Sequence, residues 1–138
     1  MITSTQARQA IDAIVGACAA AGFVVAIAIV DEHGDLIAAQ RMDGCRPRSM
    51  RMTQRKAYTA AVMDRDTTVI QNDLVARSIQ LASYGDAMFC ALPGGVVVTA
   101  ADGTTLGAIG VTGNAKNRDA EFAAAGIPFL TAPHPSTP

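Results

Sequence analysis

Apolar residues recur at helical spacing through Ala7, Ile11, Ile14, Val15 and Cys18, behind Thr3 or Ser4 as a hydroxyl N-cap, which predicts a first helix. The run from Ala13 to Val30 carries no charge, and its length approaches that of a membrane-spanning helix. Gly22 interrupts it as a C-cap, and Phe23–Val30 beyond is β-branched, so the stretch divides into a helix and a buried strand. The polar turn Asp31-Glu32-His33-Gly34-Asp35 and the following Leu36–Arg41 complete a hairpin.

After a loop over Met42–Pro47, Ser49 caps a helix expected to reach Met63, with Ala57, Ala60 and Ala61 small enough to lie close against a sheet. Thr67 or Thr68 opens another helical segment, carried by Ile70, Leu74, Ile79 and Leu81 and ending near Tyr84-Gly85. Met88–Leu92 reads as a short strand, and Val96–Ala100 and Thr105–Val111 form a hairpin about Asp102-Gly103. Arg118–Ala125 is a last short helix with Gly126 as its cap. The order α-β-β-α-α-β-β-β-α predicts a single α+β domain over residues 1–127, with an antiparallel sheet of about five strands flanked by helices, and a Pro-rich tail over 128–138.

Composition narrows this picture. Half of the 138 residues are apolar but only 4% are aromatic, so Ala, Val and Ile must fill the core. A net charge of −1 gives no global attraction to nucleic acid or to an acidic membrane. Cys18, Cys45 and Cys90 are odd in number and lack metal-site spacing, which fits reduced thiols in a cytoplasm and suggests no bound metal. No positively charged segment precedes the first apolar run, so no secretory signal is expected. There is no Gly-rich turn with the spacing of a nucleotide-binding loop.

Several segments in order carry a resemblance: Ile29-Val30-Asp31 with Gly34, Arg41-Met42-Asp43-Gly44, Lys56-Ala57-Tyr58-Thr59-Ala60, Pro93-Gly94-Gly95, Gly107 through Gly113, then Asp119 and Ala125-Gly126. The series resembles the GlcG/HbpS family, which includes the C-terminal domain of the PduO adenosyltransferases. The resemblance implies profilin-like α/β/α layers, assembly into a homo-oligomer, and in some members the binding of haem or related tetrapyrroles. Other members sit beside enzymes of small-organic-acid catabolism, so the resemblance carries a fold and a binding region further than it carries a reaction.

The densest charge lies at Arg41, Arg46, Arg48, Arg51, Arg55 and Lys56, six of the eleven basic residues, in a loop and the first turns of its helix. Guanidinium forks and a helix N-terminus suit a carboxylate or phosphate, with Arg41 and Arg48 the preferred binders, although a solvated face or an intersubunit seam would carry the same pattern. Lys56 shares a helical face with Met52, Thr59 and Met63 and is therefore partly buried; Asp31 or Asp43 would pair with it, or a lowered pKa would make it a base or Schiff-base nucleophile. The turns bearing Gly94, Gly95, Gly110 and Gly113 would let the backbone approach a ligand beside Tyr58.

These groups support two functions. The first is a binding protein for a small anionic molecule, with haem a candidate cofactor through its propionates; His33, His134, Met52, Met63, Tyr58 and Cys45 are the available axial donors, and the scarcity of aromatics leaves little to stack on a porphyrin. The second is a cofactor-independent isomerase, hydratase or hydrolase acting on a small organic acid, with Lys56, Asp43 and Asp31 as catalytic candidates and arginines as the clamp. Neither histidine is placed for a Ser-His-Asp or Cys-His arrangement, so proton transfer or hydration fits better than acyl transfer.

Overall fold

The computed structural model describes residues 1–115 and 117–133, so His134 and the end of the expected tail lie outside the described residues. Helix α1, Ser4–Ala20, begins on a capping box. The Thr3 hydroxyl accepts from Gln6 N at 3.1 Å while Gln6 Oε1 accepts from Thr3 N at 2.9 Å, so two N-terminal donors of the helix are satisfied reciprocally. The uncharged run does divide as the pattern predicts, into α1 and the strand β1, Val25–Asp31, of which six residues are buried. No helix among the described residues is long and apolar enough to cross a membrane.

Strand β1 lies at the centre of the sheet. It pairs on one side with β2, Leu36–Arg41, and on the other with β4, Thr105–Gly113, in register from Val25 opposite Gly113 to Asp31 opposite Gly107. Strand β3, Gly95–Thr99, completes the order β2-β1-β4-β3, with every pairing antiparallel. The sheet thus has four strands, not five. Met88–Leu92 has the apolar content of a strand but pairs with none, because its polar backbone groups are satisfied elsewhere: Cys90 N donates to Thr59 Oγ1 at 2.8 Å and Met88 N to Asp86 Oδ1 at 2.8 Å.

Helices cover both faces. Val25, Ile27, Ile29, Ile109 and Val111 pack with α1 and the C-terminal helices into the larger core. On the opposite face the side chains are small: Ala28, Val30 and Ala108 meet Ala57, Ala60 and Ala61 of α2, Pro47–Met63. Gly95 and Gly110 extend that shallow surface beneath α2. A Cβ on Gly110 would lie 3.2 Å from Ala57 Cβ and 3.0 Å from the Thr53 carbonyl carbon, and one on Gly95 would lie 3.0 Å from the Lys56 carbonyl carbon. The Thr53 hydroxyl fastens the contact by donating to Ala26 O at 3.1 Å.

Helix α2 begins earlier than Ser49. Pro47 occupies its first turn, where a missing N–H costs nothing, and Arg46 at the N-cap supplies no side-chain hydrogen bond. Helix α3, Thr67–Arg77, stops before Tyr84 because Ser78 turns left-handed at φ 52° and its N–H closes on Leu74 and Val75 carbonyls; a single 3₁₀ turn then covers Leu81–Tyr84. At the C-terminus α4, Asp119–Ala124, is followed by α5, Ile127–Thr131, which takes up the first residues of the stretch expected as a Pro-rich tail. Leu130 is buried in the larger core, and Gln6 Nε2 donates to Ala132 O at 2.9 Å, so this stretch is drawn back onto α1.

Candidate functional site

One end of the sheet gathers the start of α2, the end of β4, the turn before β3 and the first residue of α4. Between them runs a two-lobed cleft. The outer lobe, about 330 Å³, is lined by Val24, Cys45, Arg46 and Asn114, and the inner lobe, about 340 Å³, by Met52, Lys56, Pro93, Thr112, Asn117 and Asp119. Arg48, Ser49 and Gly113 line both and join them. This is the place where the arginine segment was expected to face the glycine turns.

Lys56 sits at the inner end, 3% exposed. Its Nζ lies 3.6 Å from Asp119 Oδ2 and 3.4 Å from the Val111 carbonyl. The two partners come from opposite helical layers and meet around the edge of the sheet, through space left by Gly94: a Cβ there would stand 3.1 Å from both Lys56 Nζ and Asp119 Cβ, and the backbone φ of 127° also disfavours any other residue. Burial pushes the Lys56 amine below its ordinary value, with the Asp119 charge opposing. Burial pushes the Asp119 carboxyl up, with Lys56 opposing. Desolvation therefore outweighs pairing on both groups and draws their proton affinities together. Asp119 Oδ1 and Thr112 Oγ1 are buried and accept or donate no hydrogen bond among the described residues.

The expected partners of Lys56 lie elsewhere. Asp31 stands at the far end of β1, opposite Gly107, where its Oδ1 accepts from His33 N at 2.8 Å and Asp35 N at 3.0 Å and holds the hairpin turn. Asp43 is exposed in the loop before α2. A carboxylate in that loop or at the hairpin looked available because sequence spacing says nothing about which layer folds around the sheet edge.

Of the other candidates, Arg48 and Gly113 join Lys56 at the cleft, and Gly94 lies buried beside the Lys56–Asp119 pair without lining it. Arg41 ends the edge strand β2 opposite Ala26, exposed and outside the lining. Tyr58 turns away along α2 toward Asp86, whose Oδ2 accepts from its hydroxyl at 2.6 Å beside the Phe89 ring. That bond pushes the Tyr58 phenol up, and the same bond, with the Met88 N–H, holds the Asp86 carboxyl down. Gly95 and Gly110 serve the approach of α2 and do not reach the cleft surface. The pairing of Asp119 and the places of Thr112 and Ser49 were not anticipated, whereas Arg46 belongs to the arginine segment expected there; for Thr112 the available signal was a hydroxyl residue at the end of the apolar run Leu106–Val111.

Sulfur is the only soft donor at the cleft among the described residues, from Cys45 in the outer lobe and Met52 in the inner. His33 lies in the distant hairpin turn, within 4.8 Å of Asp31 and Asp35, on an exposed cluster whose Asp31 is already engaged by the backbone. No aromatic ring lines either lobe among the described residues.

A family model described as haem-degrading protein HbpS-like matches residues 2–128. GlcG of Escherichia coli is 36% identical over 88 residues, which are 64% of this chain and 63% of that protein, so the match spans under two thirds of the curated relative. Among solved structures, HbpS of Streptomyces reticuli, crystallised as a double mutant, superposes with a TM-score of 0.84 at 30% identity, covering 95% of this chain and 88% of that one. A PduOC–haem complex superposes with a TM-score of 0.79 at 25% identity, covering 91% and 92%.

Proposed function

We propose that this chain, which belongs to the HbpS-like family, binds a small carboxylate-bearing molecule in the cleft between α2 and the end of β4. The observation that carries this reading is the pair of exposed guanidinium groups, Arg46 and Arg48, at the uncapped start of α2, opening onto a buried lysine. Guanidinium forks favour an oxyanion, and so does the positive end of a helix.

Haem is the first ligand to test, because a relative of this fold is a haem complex. Arg46 and Arg48 would hold its propionates, and Met52 or Cys45 would offer the axial sulfur. Haem supplies iron chemistry when bound; the chain's own contribution would be to orient the carboxylates. One equivalent of haem should give a shifted Soret band that survives competition by apo-globin, and Arg48→Ala should weaken it about tenfold. A spectrum like that of free haem removes haem, and the absence of any Arg48-dependent carboxylate binding removes the reading altogether.

The Lys56–Asp119 pair favours a second reading, an enzyme of proton transfer on a small organic acid. Its proton affinities are drawn together by burial, so Lys56 could take a proton from a carbon next to a carboxylate while Asp119 balances the charge. Deuterium exchange into candidate acids, followed by NMR, tests this; no exchange above the rate in buffer sets it aside. The exposed apolar side chains of Tyr84, Met88 and Leu92 support a homo-oligomer, and light scattering at monomer mass would refute one.

A further inference from the structure

Three groups around the inner lobe have hydrogen-bonding capacity that the described residues leave unspent. Thr112 Oγ1, on a residue 7% exposed, has no partner among the described residues. Neither has Asp119 Oδ1. Lys56 Nζ carries three N–H donors, and its acceptors among the described residues are two, Val111 O at 3.4 Å and Asp119 Oδ2 at 3.6 Å. Buried polar atoms are rarely left in this state, since each forgoes its water without compensation.

Together they describe the fragment that would complete them. It must donate to Asp119 Oδ1 and accept from Lys56 or Thr112. An ionised carboxylate only accepts and an ammonium only donates, whereas a hydroxyl does both. Arg48 lines the same lobe and continues into the outer one, so a carboxylate on the same small molecule is within the cationic rim. We infer that the inner lobe binds the hydroxyl of a small hydroxycarboxylic acid, with Lys56, Thr112 and Asp119 reading the hydroxyl and Arg48 the carboxylate.

This rests on the cleft as a carboxylate site and narrows its ligand. The ionised propionates of a porphyrin satisfy the rim but offer nothing for Asp119 Oδ1 to accept, so the Lys56, Thr112 and Asp119 end of the inner lobe is a recognition site that propionates leave unfilled. Arg48 places the anion; the inner groups decide between acids of equal charge.

Paired acids differing only in the hydroxyl test the inference on the full chain by titration calorimetry: lactate against propionate, and malate against succinate. In at least one pair the hydroxy acid should bind about tenfold tighter or more, the worth of a hydrogen bond to charged partners. Thr112→Val, which keeps shape and the Lys56–Asp119 pair, should shrink that ratio severalfold, and Arg48→Ala should weaken both members alike. Equal binding within both pairs, still weakened by Arg48→Ala, overturns the hydroxyl site, leaves the carboxylate site standing and means that the lobe holds water. Failure of all four acids to bind overturns the hydroxyl site too, and with haem also unbound the carboxylate reading falls with it.

Discussion

Lys56 and Asp119 cost the fold stability, because burial moves each pKa against its charged form and neither recovers that loss from the other. Breaking such a pair strands one buried charge, whereas removing both does not. Lys56→Met or Asp119→Leu alone should therefore lose about 3–5 kcal/mol in urea unfolding, and the double variant should return to wild-type stability or exceed it. The pH dependence follows from the signs. Relative to the double variant, the wild type should lose stability as pH rises from 3.8 through the raised Asp119 value, and regain it as pH rises from the lowered Lys56 value toward 10.5. That Lys56 is buried was legible from its place among Met52, Thr59 and Met63 on one helical face. Its partner was not, because Asp119 reaches it only after α4 has packed on the other side of the sheet.

At the scale of elements, α2 is held by what the sheet lacks. Gly110→Ala would drive a methyl group into the Thr53 carbonyl and Ala57, and should cost about 1–3 kcal/mol with an unchanged urea m-value. Activity-independent loss here, with ligand affinity retained in the folded fraction, would separate this glycine from the cleft. A glycine in a strand announces that something comes close to the backbone; sequence does not say whether a helix or a ligand, and for Gly95 and Gly110 it is the helix. A hydroxyl N-cap was legible at Thr3 or Ser4; the structure selects Thr3, closes the capping box with Gln6, and Thr3→Ala should cost about 1 kcal/mol. Strand content was less legible at Met88–Leu92, where apolar composition suits an edge strand and the Asp86 carboxylate and the Thr59 hydroxyl, the latter delivered from α2, take its amides instead.

For the whole molecule, the antiparallel hairpins on either side of a helical pair were readable in order, and so was the end of the sheet where they converge. The closing of the chain was not: a proline-rich stretch suggests a tail, and only the fit of Leu130 against α1 and the sheet draws it inward. The chain's net charge of −1 means that attraction of an acid is a property of the rim and not of the molecule. Arg46 and Arg48 are exposed, whereas Lys56 is buried. Salt screens the first two, since the Debye length falls from about 30 Å at 0.01 M to about 8 Å at 0.15 M, and barely reaches the third. Raising ionic strength over that range should therefore weaken binding of lactate and propionate several-fold in parallel, while the ratio between them stays constant. A ratio that collapses with salt would place the discrimination at the exposed arginines and not at Lys56, Thr112 and Asp119.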